Sequence, residues 1–329
     1  MSSSTAILET LRPIFGEELD AVDSEITRLV ASDVALIPEV AGHVISSGGK
    51  RLRPILTLLA ARLCGYQGQR HIRLAACVEF IHTATLLHDD VVDKSDLRRG
   101  SPTANHLWGN SASILVGDFI LSRAFQLMVG DGSLKVLKLL SDTSAIISEG
   151  EVLQLTHENN LENDFSTYLK IISAKTAQLF AAACQIGALI ADKPPEYEKA
   201  LFDFGHNLGM AFQIADDALD YSARREALGK SIGDDFKEFK VTLPVILAYR
   251  KSNAEEKKFW VRTIQEKEQQ PDDLVSAIAI MKKYGILKDS IGHAENYVES
   301  ARKSLKIFPN SPAHDALIQL LDFSISREY

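Results

Sequence analysis

Apolar residues recur along this chain at helical spacing. Leu74, Cys77, Val78, Ile81 and Thr85 form one stripe, and Leu201, Phe204, Leu208 and Phe212 form another. That period is the mark of amphipathic helices, and both stripes read first as plain core. The ten prolines leave long free intervals, from Pro54 to Pro102, on to Pro194, and then to Pro244. These intervals are rich in Ala, Leu, Ile, Glu and Lys, most of which tolerate helix well. No convincing alternating strand with an Asn-Gly turn stands out. The pattern predicts an all-α protein of many long helices. Breaks are expected at Ser46–Gly49, Arg98–Pro102, Gly130–Gly132, Asp192–Pro195 and Gly229–Phe239. None is long enough to be a domain linker, so a single domain over residues 1–329 is expected. No short tandem repeat suggests a solenoid.

Composition narrows the function. With 46% hydrophobic and 24% charged residues the chain can build an ample core. A net charge of −8 argues against nucleic acid as a partner, which normally needs a basic face. Cys64, Cys77 and Cys184 are scattered among apolar or small residues, neither a disulfide framework nor a zinc site. A reducing, cytoplasmic setting follows as the expectation. The first residues lack the basic start and apolar core of a signal peptide. No uninterrupted apolar run reaches the roughly 18 residues that span a bilayer, so no transmembrane segment is expected. The nearest, Leu179–Ala191, is interrupted by Gln185 and reads as a buried helix.

One longer-range echo carries chemistry. Asp89-Asp90-Val91-Val92-Asp93 follows Leu86-Leu87-His88, and Asp216-Asp217-Ala218-Leu219-Asp220 follows Phe212-Gln213-Ile214-Ala215. In a helix, residues four apart share a face, which pairs Asp89 with Asp93 and Asp216 with Asp220. Like charges at that spacing destabilise a helix, and apolar surroundings enlarge the penalty unless a cation neutralises them. All-oxygen donors suit a hard ion such as Mg²⁺. A single copy reads equally well as a solvated acidic patch. Two copies with apolar lead-ins read as two metal-binding walls facing each other across a helical cavity.

Cations that could hold an anion lie nearby. Gly48-Gly49 precedes Lys50, Arg51 and Arg53; Lys50 and Arg53 could share a face at a helix start, with Arg51 pointing elsewhere. Arg98 and Arg99 follow the first acidic motif, and guanidinium forks match phosphate oxygens. Lys175-Thr176, Lys230, Lys237 and Lys240 supply cations in the second half, and His82 stands two turns before Asp89. Taken singly, the lysines and Arg53 read as surface charges, the arginine pair as balance for the aspartates, and His82 as a core histidine. Lys237 stays with that bland reading.

As a set, Gly-Gly-Lys-Arg-Leu-Arg-Pro, Leu-His-Asp-Asp-Val-Val-Asp with Arg-Arg-Gly, Lys-Thr, Phe-Gln-Ile-Ala-Asp-Asp-Ala-Leu-Asp-Tyr and Gly-Lys resemble the trans-isoprenyl diphosphate synthases, in order and spacing from about Gly48 to Pro244. The resemblance implies a bundle of long helices around a central apolar cavity, usually a homodimer. It implies that Asp89 and Asp93, with Asp90 in the same motif, bind two Mg²⁺, and that Asp216 with Asp220 binds a third, all bridging an allylic diphosphate. Arg98, Lys175, Lys230 and Lys240 would hold that diphosphate; Lys50, Arg53, His82 and Arg99 would hold isopentenyl diphosphate. Thr176 and Gln213 would turn oxygen dipoles on the carbocation, and Phe212 would line its pocket. Terminal cations cap the isopentenyl site in some relatives, a role that would fall to Arg327. One departure stands out: the family often has Glu-Gly-Lys before Thr-Leu-Pro, and here Glu238-Phe239-Lys240 is expected to alter that loop's backbone.

The implied chemistry is departure of diphosphate against metal and guanidinium charge, attack of the isopentenyl double bond on the allylic cation, and proton loss. An apolar cavity protects the cation from water. Product length depends on the cavity floor. Bulky aromatics near position 84 block the tail in short-chain relatives, whereas here Ala84 and Thr85 leave a way past Ile81 towards Cys77. A deep cleft of this kind favours a long product, about eight to ten isoprene units, of the quinone side-chain type, against a farnesyl or geranylgeranyl alternative. Such a product would seek membrane, with peripheral hand-off. A terpene cyclase has little use for Lys50, Arg53 and Arg99, and a non-catalytic partner subunit would be expected to lose one aspartate motif. A di-iron bundle would need a second copy of Glu79-Phe80-Ile81-His82.

Overall fold

The computed structural model describes residues 3–47, 49–98, 100–222 and 232–325. Helices dominate: α1 (Ser3–Val30), α2 (Leu36–Ser46), α3 (Leu52–Leu63), α4 (Arg70–Val92), α5 (Ala104–Trp108), α6 (Asn110–Asp131), α7 (Leu134–Thr156) and α8 (Phe165–Ile172) fill the first half. A π-helical turn, Ser173–Ala177, joins α8 to α9 (Gln178–Ile190), and α10 (Pro195–Asp220) follows. After the 223–231 stretch come α11 (Asp234–Lys237), α12 (Leu243–Lys251), α13 (Ala254–Trp260), α14 (Asp273–Lys283), α15 (Ile286–Ser304) and α16 (Pro312–Ile325). The all-α expectation holds, with one exception among the described residues. Leu97–Arg98 (β1) and Ser101–Pro102 (β2) form a two-residue antiparallel ladder around Gly100, whose φ of 80° suits a tight turn.

Local signals explain several boundaries. The Ser133 and Asp164 side chains accept the Val136 and Thr167 N–H groups and so cap α7 and α8. Asn253 and Glu256 form a reciprocal capping box at the start of α13. Helix α6 runs through the expected break at Gly130 and ends at Gly132, in a left-handed conformation.

The main core draws on α1, α3, α4, α6, α9, α10, α15 and α16, with Phe15, Leu59, Phe80, Phe180, Phe204 and Leu317 fully inside. A smaller cluster gathers Tyr221, at the end of α10, with Phe236, Trp260, Ile264 and Met281. The stripes at Leu74–Ile81 and Leu201–Leu208 are indeed core, and Leu179–Ala191 is the buried helix it was expected to be. Helix α6 is by length and composition long and apolar enough to cross a membrane. It carries Asp118 and Arg123 and lies along α4, with Val116, Ile120, Ala124 and Leu127 buried and Leu115, Phe125 and Val129 exposed.

Two helix crossings bring the halves together. A Cβ on Gly205 of α10 would sit 2.4 Å from the Phe180 carbonyl oxygen of α9, so only glycine permits that approach. A Cβ on Gly150 of α7 would sit 2.6 Å from the Ala174 Cβ in the π turn. Both contacts set the depth at which Lys175, Thr176 and the end of α10 meet.

Candidate active site

The first acidic motif ends α4. Asp90 is almost wholly buried, and its carboxylate accepts from Arg98, Nε at 2.8 Å and Nη2 at 2.7 Å. Arg98, presented by the short β1–β2 hairpin, thus neutralises Asp90. Asp89 and Asp93, one helical turn apart and only partly buried, remain as the motif's outward carboxylates.

The second motif ends α10 and is built differently. Asp217, again the middle residue, accepts from the Tyr168 hydroxyl at 2.6 Å and from Gln213 Nε2 at 2.7 Å. Gln213 Oε1 in turn accepts from the Thr176 hydroxyl at 2.8 Å. This chain orients the amide expected to face the carbocation and ties it to the π turn. Asp220 is buried and accepts the backbone N–H groups of Asp234 and Asp235, at 3.3 and 3.0 Å. It thereby anchors the start of α11. Asp216 is the partly exposed carboxylate of this motif.

Two lysines lie beside the first motif. Lys240 Nζ lies 3.0 Å from Asp93 and 2.7 Å from Glu238. Lys175 Nζ lies 2.6 Å from Glu151 of α7. Phe239 does not displace Lys240: it adopts φ of 59°, the left-handed conformation a glycine would favour, and the Lys240 N–H reaches the Asp235 carbonyl at 2.8 Å. Lys237 is an exposed partner of Asp234, as the bland reading had it.

On the other side, Arg53 opens α3 with its guanidinium over the Phe180 ring, 4.5 Å from the centroid. Phe180 packs against Phe212, centroids 5.6 Å apart. Lys50 is exposed, with its ammonium 5.4 Å from the Phe323 ring of α16. His82 is half-buried on α4, and its carbonyl accepts from the Thr85 hydroxyl. Arg99, Lys230 and Arg327 lie outside the described residues.

The electrostatics ask for cations. Burial, helped by the charges of Glu151 and Asp93 and opposed by Lys175 and Arg98, pushes the Asp89 carboxyl up to about 7. Burial likewise pushes Asp217 up to about 7, against the hydrogen bonds from Tyr168 and Gln213. Burial and the charges of Asp220 and Asp217 hold Asp235 well above the carboxylate range. Although burial works against its charge, Lys240 is held above the usual lysine range by Asp93, Glu238 and Asp235. No three His, Cys, Asp or Glu side chains converge as a cage among the described residues. Paired carboxylates without a cage fit Mg²⁺, which keeps water and phosphate oxygens in most of its sphere.

Helices α4 and α6 are antiparallel. The Ser113 hydroxyl donates to the Leu87 carbonyl, and the Cys77 thiol to the Ala124 carbonyl. Ala84 and Ile81, both buried, therefore lie level with Val116 and Ile120, and the route below the first motif is walled by α6.

Glu151, Tyr168, Phe180 and Glu238 were not singled out from the sequence. Ser148-Glu149-Gly150-Glu151 held a usable hint, a glycine beside a carboxylate inside a helix, but nothing in its spacing named Lys175.

A polyprenyl synthetase family model matches residues 34–281. The chain is 44% identical over 321 residues to octaprenyl diphosphate synthase of Escherichia coli, covering 98% of this chain and 99% of that one. A decaprenyl diphosphate synthase structure from Rhodobacter capsulatus superposes with a TM-score of 0.93 at 48% identity, covering 97% and 98% of the two chains. A polyprenyl synthase structure from Caulobacter crescentus, complexed with calcium and isoprenyl diphosphate, gives a TM-score of 0.94 at 47% identity, covering 98% of each.

Proposed function

The chain belongs to the polyprenyl synthetase family, and from that premise we propose that it extends an allylic diphosphate with isopentenyl diphosphate to a long all-trans polyprenyl diphosphate. The observation that carries the reading is the ion pair between Lys240 and Asp93, 147 residues apart and 3.0 Å in distance. It ties the first acidic motif to the segment that Asp220 of the second motif holds through Asp235, the polar head region that a diphosphate with a growing hydrocarbon tail requires.

In each cycle the bond between C1 of the allylic chain and its diphosphate oxygen breaks, the electron pair leaving with oxygen. The isopentenyl double bond attacks C1 and forms the new C–C bond. The adjacent C–H then loses its proton to the departed diphosphate, restoring a double bond. Three Mg²⁺ at Asp89, Asp93 and Asp216, with Asp220 behind, would supply the charge that stabilises the leaving group. Lys175, Lys240 and Arg98, with Lys230, hold the same diphosphate; the first two exchange Glu151 and Asp93 for its oxygens. Arg98 stays aligned by Asp90. Thr176 and Gln213 face the developing cation with oxygen lone pairs, their orientation held by Asp217 and Tyr168. Lys50, Arg53, His82 and Arg99 bind isopentenyl diphosphate. No side-chain base is needed.

We assign length control to Ala84, Thr85 and Ile81, of which Ala84 and Ile81 are buried level with Val116 and Ile120 of α6; relatives of similar sequence bear the names octaprenyl and decaprenyl diphosphate synthase. A homodimer is the assembly we favour, supported by Leu115, Phe125 and Val129 exposed along one side of α6. Three free, buried cysteines accord with a cytoplasmic setting.

The test is incubation with Mg²⁺, labelled isopentenyl diphosphate and farnesyl diphosphate, followed by chain-length analysis. We expect a ladder ending at a long product, and a drop of roughly a thousandfold or more in Asp89→Ala. Folded protein that incorporates no label with any allylic primer would sink the reading.

A further inference from the structure

Between Lys50 and Arg53 stands a residue that the reaction does not use directly. Arg51 has φ of 49° and ψ of 31°, a left-handed conformation that side chains with a Cβ disfavour, and it caps the start of α3. Its guanidinium joins three helices. Nε donates to Asp23 of α1 at 3.0 Å, Nη1 to Glu79 of α4 at 2.8 Å, and Nη2 to the Ile45 carbonyl of α2 at 3.1 Å. The Glu79 side chain is 6% exposed and that of Arg51 14%, so this is an interior clamp and not a surface pair.

The neighbouring segment borders a cleft. Two glycines precede Lys50 in the sequence, and a cleft of about 320 Å³ opens between Gly49–Arg51 and the α1 residues Arg12, Phe15 and Asp23. Packing between Gly49–Arg51 and α1 is therefore incomplete on that side. Beside that cleft Arg51 is held through its fork. Glu79 lies one helical turn before His82, and the Thr83 hydroxyl returns to the Glu79 carbonyl at 2.8 Å.

We propose that Arg51 is a positioning residue for the isopentenyl diphosphate site: through Glu79 and Asp23 it locks the left-handed turn that aims Lys50 and Arg53, and registers that turn against His82. The inference rests on the reading that Lys50 and Arg53 bind isopentenyl diphosphate. Lysine carries the same charge but cannot reach three acceptors in three directions, so Arg51→Lys should loosen the turn while keeping a cation in place.

Steady-state kinetics of the full chain, with each substrate varied in turn, tests this. Arg51→Lys and Glu79→Gln should each raise KM for isopentenyl diphosphate on the order of tenfold, with KM for the allylic diphosphate within about twofold of wild type. The exchange variant Arg51→Glu with Glu79→Arg should recover part of the loss. A fall in thermal stability with both KM values unchanged, or an equal rise in both, would overturn the positioning role. Lys50→Ala separates the two levels. If it raises KM for isopentenyl diphosphate while Arg51→Lys and Glu79→Gln do not, the clamp idea fails and the site reading survives. If Lys50→Ala leaves that KM unchanged, the site reading fails and the inference goes with it.

Discussion

The two Asp-Asp-x-x-Asp segments share their spacing and differ in how the fold uses them. At the end of α4, the buried middle aspartate is matched by a full cation, Arg98 at 2.7 Å. At the end of α10, the buried middle aspartate meets, among the described residues, the neutral donors Tyr168 and Gln213. The fifth residue differs as well. Asp93 faces Lys240, whereas Asp220 is taken by two backbone N–H groups. The first motif is thus organised by charge and the second by hydrogen bonds. A carboxylate stays ionised when buried only if something of opposite sign accompanies it; otherwise burial raises its proton affinity. The second motif orients Gln213 through Asp217 and anchors the start of α11 through Asp220.

The lead-ins contrast too, and that is where the largest effect is expected. Five residues before Asp89 stands Ala84, whereas Phe212 stands four before Asp216. Giving the first motif an aromatic lead-in, Ala84→Phe, should shorten the main product by several isoprene units while isopentenyl turnover persists. Chain-length analysis of the lipid checks it, and an unchanged ladder would move the floor away from α4.

A smaller effect separates the middle aspartates. Asp90→Asn removes the anion from an ion pair whose arginine is 31% exposed. Discounting the fully buried case for that exposure, about 2 kcal/mol of stability should be lost. Asp217→Asn replaces a carboxyl that is half-protonated near neutrality by a neutral isostere, and should cost under about 1 kcal/mol. Chemical denaturation of both variants decides; equal losses would erase the distinction between a charge-held and a hydrogen-bond-held motif.

The smallest effect is a slope. Asp89 and Asp217 titrate near 7 in the folded chain against 3.8 when exposed. Their folded values are raised, so the stability each contributes is fully present below 3.8 and disappears as pH rises through about 7. Metal-free protein should therefore melt a few degrees lower at about pH 8 than at about pH 5, and Asp217→Asn should flatten part of that fall. A melting temperature independent of pH in the wild type would contradict both shifts.

How much of this was legible beforehand follows a physical line. Helical period, proline spacing and the twin acidic motifs are local properties, and a side chain four residues from another shares its face whatever the rest of the chain does. The all-α architecture and the convergence of Lys175, Thr176, Gln213, Asp216 and Lys240 near one mouth were within reach on that ground, with the family resemblance to set the roles. Identical spacing could not say which aspartate looks outward. Asp90 and Asp217 turn inward because Arg98 and Tyr168 wait there, and those partners are named only by packing. Lys240 on Asp93, Glu151 on Lys175 through the Gly150 crossing, and the π turn that carries Lys175 and Thr176 are likewise outcomes of helices meeting at fixed depth. Periodicity along one chain specifies a face. Only tertiary structure decides what that face meets, because burial and charge pairing depend on elements far away in sequence.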